Sequence, residues 1–158
     1  MLVYHGAMWE IQNPDISHSR TRLDFGKGFY LAKEYGQAKK WAERFVKRRY
    51  QGTVNFYQLD MAQVEQKFLT KTFAAYDEEW LDFIVANRKG KRVKQYDVIH
   101  GGIANDRVFN TVELYLDGLI SETDALGRLQ YQKPNWQICI RNQQILDEYL
   151  HFQKSEVC

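Results

Sequence analysis

Two cysteines and two prolines are all that this 158-residue chain has of either residue. Cys139 and Cys158 do not form the close pair that a zinc site needs, and His5, His18, His100 and His151 are scattered, so no metal site and no disulfide scaffold is expected. With Pro14 and Pro134 alone, and with no Gly/Ser/Pro-rich stretch or internal repeat, nothing reads as a linker. The expectation is one domain over residues 1–158. No apolar run approaches the roughly 18 residues of a membrane span, and no basic stretch leads into an apolar one at the start. A reduced, cytoplasmic protein with no membrane partner is expected. Gly-x-Ser-x-Gly, phosphate-loop and His-Glu-x-x-His patterns are also absent, and Gly26 and Gly28 do not continue into Gly-x-Gly-x-x-Gly. Hydrolase-elbow, nucleoside-triphosphatase, zinc-protease and Rossmann assignments therefore lack a starting point.

What is present is an ordinary globular composition, 44% hydrophobic and 27% charged, with a rich aromatic share of 15%. A chain of this length can bury roughly two thirds of its unfolded surface. The net charge of +2 is unevenly spread. Lys39, Lys40, Arg44, Lys47, Arg48 and Arg49 form one basic cluster; Arg88, Lys89, Lys91, Arg92 and Lys94 form a second. Each is either a solvated face or a contact for a phosphate-rich ligand.

Along the chain, Leu2 to His5 reads as a strand closed by Gly6, and Gln12 to Ser19 as a loop. Gly26-Lys27-Gly28 opens a strand from Phe29 to Ala32. From Glu34 to Arg49, apolar residues at three- and four-residue steps (Tyr35, Ala38, Trp41, Ala42, Phe45, Val46) predict a helix with those side chains inward. Val54 to Asp60 reads as a strand and Phe68-Leu69 as a short one. Asp77 caps a helix that buries Trp80, Leu81, Ile84 and Val85 and stops at Gly90. Asp97 to Ile103 is a strand, and a helix from about Asp106 turns Val108, Val112, Tyr115, Leu116 and Leu119 inward. Ser121 caps a shorter helix. In Trp136 to Ile140 alternation puts Ile138 and Ile140 on one face and Gln137 and Cys139 on the other. Asn142 to Glu148 forms a helical turn before a last strand through Tyr149 and Phe152. The pattern is α+β.

Tyr4-His5-Gly6 taken alone is open between a structural histidine and a ligand contact. In Phe25 to Ala32 the two glycines either let the backbone approach a ligand closely or form a tight turn before a core Tyr30. Together, His5-Gly6 and Phe25-Gly26-Lys27-Gly28-Phe29-Tyr30-Leu31-Ala32 resemble the ADP-ribosyltransferase superfamily, in its diphtheria-toxin-like and poly-ADP-ribose-polymerase-like branch with a His-Tyr-Glu signature. A second family aromatic falls eleven residues after the signature Tyr, here Trp41. The third signature position falls in Asn135 to Ile140, where Gln137 stands in place of Glu. The chain is also similar over most of its length to a family of small bacterial proteins of unknown function grouped with these transferases.

The resemblance implies a split antiparallel β-sandwich core with inserted helices, binding NAD+ as co-substrate and no metal. Tyr4, His5, Gly6, Gly28, Phe29, Tyr30 and Trp41 would line the NAD+ site: Gly6 pairs with the nicotinamide amide, His5 donates to an adenosine-ribose hydroxyl, and Tyr30 and Trp41 clamp the ring. His5, Tyr30 and Gln137 are the implied catalytic set. The implied activity is mono-ADP-ribosylation of a macromolecular acceptor, protein or nucleic acid, by a bacterial toxin held in check by an antitoxin-like protein. A Ser or Thr position that helps hold the amide in relatives is here Ala38. Because a carboxylate stabilises an oxocarbenium-like sugar better than an amide, Gln137 leaves a second implication open, an NAD+- or ADP-ribose-binding module without turnover.

Overall fold

The computed structural model describes all residues, 1–158. Seven strands, β1 (Leu2–Ala7), β2 (Phe29–Ala32), β3 (Thr53–Leu59), β4 (Thr70–Thr72), β5 (Val98–Ile103), β6 (Asn135–Ile140) and β7 (Leu150–Val157), form one mixed sheet in the order β4-β5-β6-β2-β1-β3-β7. Six helices accompany them: α1 (Tyr35–Val46), α2 (Met61–Lys67), α3 (Glu78–Arg88), α4 (Asp106–Leu116), α5 (Glu122–Leu129) and α6 (Gln143–Tyr149). The class is α+β, as the element pattern predicts. The sheet is not purely antiparallel, because β4 runs parallel to β5.

The sheet has a weak seam. β1 pairs with β3 at six positions and β2 with β6 at four, but β1 and β2 are joined only at Tyr4 and Ala32. Two well-knit blocks, β4-β5-β6-β2 and β1-β3-β7, thus meet at one register pair.

Strand alternation distributes the core over both faces. On one face Val3, Phe29, Leu31, Tyr57, Ile138 and Ile140 pack with Val64 of α2 and Ile145 and Leu146 of α6. On the other, α1 lays Ala38 and Ala42 on Ala32, Val54 and Phe56, while α3, α4 and α5 cover Ile99 and Cys139. Ile138/Ile140 and Cys139 therefore fall on opposite faces as read.

Caps explain the helix starts. The side chains of Asp77, Asn105, Ser121 and Asn142 each accept a hydrogen bond from a first-turn amide. Gly90 ends α3 with φ +68°, a left-handed geometry natural to glycine. Some expectations need correction. β1 continues through Gly6, because that glycine remains paired with Val54 of β3. The strand expected at Phe68-Leu69 lies at Thr70–Thr72, and α2 precedes it, capped by Asp60. Leu119 is 70% exposed: α4 ends at Leu116, so the helical stripe does not extend to it. No helix is long and apolar enough to cross a membrane.

Candidate functional site

The three motif segments lie on neighbouring strands, β1, β2 and β6, around the seam. Ala32 is the pivot, pairing with Tyr4 on one side and Gln137 on the other. Tyr4, Ala32, Gln137 and Gly101 form one row across four strands, with Tyr30 two residues along β2 and opposite Cys139. Side chains in that row share the face covered by α1 and α3. Gln137 is half-buried there.

His5 crosses the seam. Its Nδ1 lies 2.7 Å from the Tyr30 carbonyl oxygen, and its ring stacks on Phe29 at 4.3 Å. A carbonyl only accepts, so Nδ1 carries the proton of the neutral ring and Nε2 is left as an acceptor. Burial lowers the His5 pKa, opposed in part by the bond to Tyr30. The ring is therefore neutral at pH 7, and the expected donor role toward a hydroxyl becomes an acceptor role at Nε2. His5 and Phe29 occupy the α2/α6 face, whereas Tyr30 occupies the α1/α3 face. His5 thus meets Tyr30 through its backbone alone, and the two rings do not share a wall. Phe29 is core, set edge-on to Tyr57.

Tyr30 organises the turn that precedes it. Its hydroxyl donates to the Gly26 carbonyl at 2.6 Å and accepts from the Phe25 amide at 3.1 Å, while its ring lies parallel to Phe25. Burial, with the neighbouring Cys139 next in effect, pushes the hydroxyl well above the ordinary tyrosine range. It stays protonated and acts as donor.

The glycines have packing reasons. A side chain on Gly6 would collide with the Ala38 carbonyl oxygen and come within 2.9 Å of the Ala42 amide nitrogen, because α1 rests directly on it. A Cβ on Gly28 would reach the Cys139 sulfur at 2.5 Å and the Ile140 carbonyl oxygen at 2.8 Å. The close approach allowed by these glycines is thus to α1 and β6. Gly26 has φ +78° and turns the chain into β2.

Trp41 departs from the inward stripe expected of it. Ala38 and Ala42 make the buried contact, while Trp41 is 50% exposed on the helix flank. Its Cβ stands beside Gly6 and Arg44 covers its ring at 4.7 Å. The indole is an open aromatic wall next to the Gly6 backbone. Tyr4 packs edge-on against Tyr35 and Phe56, and its role is to seat α1.

Sequence reasoning missed the supports of the Phe25–Gly28 turn. Arg88 places Nε 2.8 Å and Nη2 2.6 Å from one oxygen of Asp24 and Nη1 3.0 Å from Glu113, and Ala104 N–H donates to the other Asp24 oxygen. Asn87 donates to the Asp24 carbonyl. Arg88 is therefore an internal tie between α3, α4 and the turn, not part of a solvated basic cluster. A helix-terminal arginine followed by a run of lysines and arginines carries no sequence sign of such a partner.

Two concavities lie beside the seam residues, the first of them against the Phe25–Gly28 turn. One, of about 280 Å³, is lined by Ile16, Lys27, Gln95, Tyr96, Asp97 and Arg141; the other, of about 450 Å³, lies around Met1, Asp60, Met61 and His151. The site at the seam presents one exposed aromatic, Trp41, and one half-buried amide, Gln137. Such a face can stack a planar ring and orient a hydroxyl. Glu78, Asp82 and Glu122 bring three carboxylates together on α3 and α5.

The chain belongs to the family described as "Protein of unknown function (DUF3990)", whose family model matches residues 1–152. No curated protein and no solved structure matches it.

Proposed function

We propose that the seam between β1 and β2 binds NAD+ and that the protein is a mono-ADP-ribosyltransferase of the ADP-ribosyltransferase-like fold, its split core corresponding to the two blocks that meet at Tyr4 and Ala32. The observation that carries the reading is the Tyr4–Ala32–Gln137 row, which gathers three sequence-distant motifs on adjacent strands. Nicotinamide stacks on Trp41 beside the Gly6 backbone, on the α1 face; stacking on an aromatic wall contributes about 0.5–1.5 kcal/mol beyond area burial. The adenosine end passes the open end of the seam, where His5 Nε2 accepts from a ribose hydroxyl. Tyr30 acts chiefly by holding the Phe25–Gly28 turn and the floor under the ring.

In the reaction the bond from ribose C1′ to the nicotinamide nitrogen breaks, nicotinamide leaves with the electron pair, and positive charge builds on the sugar. A nucleophile on the macromolecular acceptor then bonds to C1′ and gives up its proton. Gln137 orients the ribose through its 2′-hydroxyl but supplies no negative charge and no base, so turnover is slow and depends on the acceptor's own nucleophilicity. That same amide favours a second reading, a module that holds NAD+ or ADP-ribose without cleaving it. A bacterial toxin role with an antitoxin-like partner belongs to the first reading.

Incubation of the purified protein with NAD+ separates the two. Nicotinamide release or self-modification, lost in Tyr30→Ala and in the surface variant Trp41→Ala, supports transfer. Binding that saturates without release supports the module, and absence of binding removes both.

A further inference from the structure

The pocket of Lys27, Tyr96, Asp97 and Arg141 adjoins the Phe25–Gly28 turn through Lys27 and is lined by a guanidinium with an unsatisfied nitrogen. Arg141 donates from Nη2 to Gln95 and from Nε to the Lys27 carbonyl, but its Nη1 is buried with no partner. A buried, unpaired guanidinium nitrogen is costly unless a ligand completes it, and a guanidinium prefers oxyanions such as phosphate. Asp97, the acid of the lining, is already occupied: its oxygens accept from the Leu69 amide and from Asn142. Asp15, whose field reaches Lys27, accepts from the Ser17 amide. Neither acid satisfies Arg141.

The surroundings extend the positive charge along one end of the sheet. Continuing the registers of β2, β6 and β5 by one residue, Gly28, Arg141 and Asp97 stand level at that end of the block, where the Arg141 amide donates to the Asp97 carbonyl. On one side, the loop that leads into Asp97 exposes Lys89, Lys91, Arg92 and Lys94. On the other, α1 runs over Gly6 and Gly52 toward Met8, bringing exposed Arg44, Lys47, Arg48 and Arg49 to the same end. The Arg141 pocket therefore has exposed cations of the loop before β5 on one side and, on the far side of the seam, those at the end of α1. One isolated phosphate would use the pocket alone, whereas cations on both sides of it match a ligand with repeated phosphates. Tyr96 lines the pocket with Lys94 over its ring at 5.4 Å, an aromatic-cation pair suited to an unstacked base.

We propose that the Arg141–Lys27 pocket seats a backbone phosphate of a single-stranded polynucleotide, whose neighbouring phosphates follow the exposed cations of the loop before β5 and of α1. The polynucleotide so placed crosses the seam, which makes it the acceptor class if the NAD+ reading above holds. The binding itself does not rest on that reading.

The test is fluorescence anisotropy with labelled 12-nucleotide DNA and RNA strands, without NAD+, from low to moderate salt. Saturable binding is expected, with affinity falling as salt rises, about 0.7 logarithmic units per logarithmic unit of salt for each phosphate neutralised. Arg141→Gln is expected to weaken it about tenfold or more and to flatten the salt slope by about one contact. The exposed double variant Lys27→Gln/Lys94→Gln repeats the test if Arg141→Gln fails to fold. Comparison of the two strands decides between DNA and RNA. Failure to bind either strand, binding unchanged in both variants, or binding of a phosphopeptide in place of the strands overturns the proposal. So does loss of NAD+ binding in Arg141→Gln together with displacement of the strand by NAD+, which would give the pocket to the dinucleotide. Nicotinamide release, measured separately, fails or succeeds independently of these outcomes.

Discussion

The imidazole of His5 donates from Nδ1 to the Tyr30 carbonyl oxygen at 2.7 Å, linking the two blocks of the sheet where backbone pairing stops after Tyr4 and Ala32. The link fixes the tautomer, and with it the chemistry that the free nitrogen can offer. It also ties local stability to proton binding.

The pH dependence of stability follows from that burial. The His5 pKa in the folded protein is below its ordinary value near 6.5, and His100 is lowered as well, by burial and by Lys33. The unfolded chain thus binds more protons in this range. The stabilising contribution is complete above about pH 6.5 and is lost as the pH falls through the depressed folded values. Urea unfolding as a function of pH is expected to show stability falling on the acid side of 6.5, with a shallower fall in His5→Gln. An equal fall in the variant removes His5 from this role.

Gly6 is required by α1. Gly6→Ala places a methyl group against the Ala38 carbonyl oxygen and the Ala42 amide, and overpacking of this kind costs about 1–3 kcal/mol. Denaturant titration is expected to show that loss, with Gly28→Ala similarly destabilised through Ile140 and Cys139. Wild-type stability in Gly6→Ala would mean that α1 stands further from β1.

Arg88 holds the turn that precedes Tyr30. In Arg88→Ala the half-buried Asp24 carboxylate loses its cation while still bonded to the Ala104 amide, at a cost of about 3 kcal/mol, near the lower bound for broken buried pairs. Thermal unfolding measures the loss. Because the same turn seats Tyr30, NAD+ binding is expected to weaken in Arg88→Ala even where the protein remains folded.

Thiol chemistry distinguishes the two cysteines. Cys139 is fully buried beneath the helices on β6, and burial pushes its thiol up to about 12. Cys158 is exposed. Titration with a thiol reagent is expected to modify one cysteine in the native protein and two after denaturation. Rapid native modification of both contradicts the packing of β6 against α3 and α5.

Gln137 sets the pace of the proposed transfer. Gln137→Glu adds a negative charge where the sugar becomes positive, and nicotinamide release is expected to rise about tenfold or more, on the scale of one well-placed electrostatic group. Gln137→Ala is expected to lower it. A rate indifferent to both substitutions removes Gln137 from the reacting site.

Much of this was legible in the chain because local chemistry dictates it. Asp77 and Ser121 cap the helices that begin after them, and the alternation around Gln137 places Ile138 and Cys139 on opposite faces as read. What was not legible depends on neighbours distant in sequence. Trp41 follows the helical stripe, yet the close seating of α1 on Gly6 leaves room only for Ala38 and Ala42, so the indole is turned outward. Arg88 sits among lysines and arginines in sequence but finds Asp24 and Glu113 in space. The helix Met61–Lys67 buries only Val64 and so leaves no apolar stripe to read. The seam itself is a property of pairing between strands, which no stretch of residues announces.

The most direct measurement of the central claim is a crystal structure of the protein with NAD+. The expected result is the nicotinamide ring against Trp41 beside the Gly6 backbone, a ribose hydroxyl within hydrogen-bond distance of Gln137, and the adenosine ribose reaching His5 Nε2. A dinucleotide seated in the concavity of Asp60, Met61 and His151, or no bound dinucleotide at saturating NAD+, would contradict it.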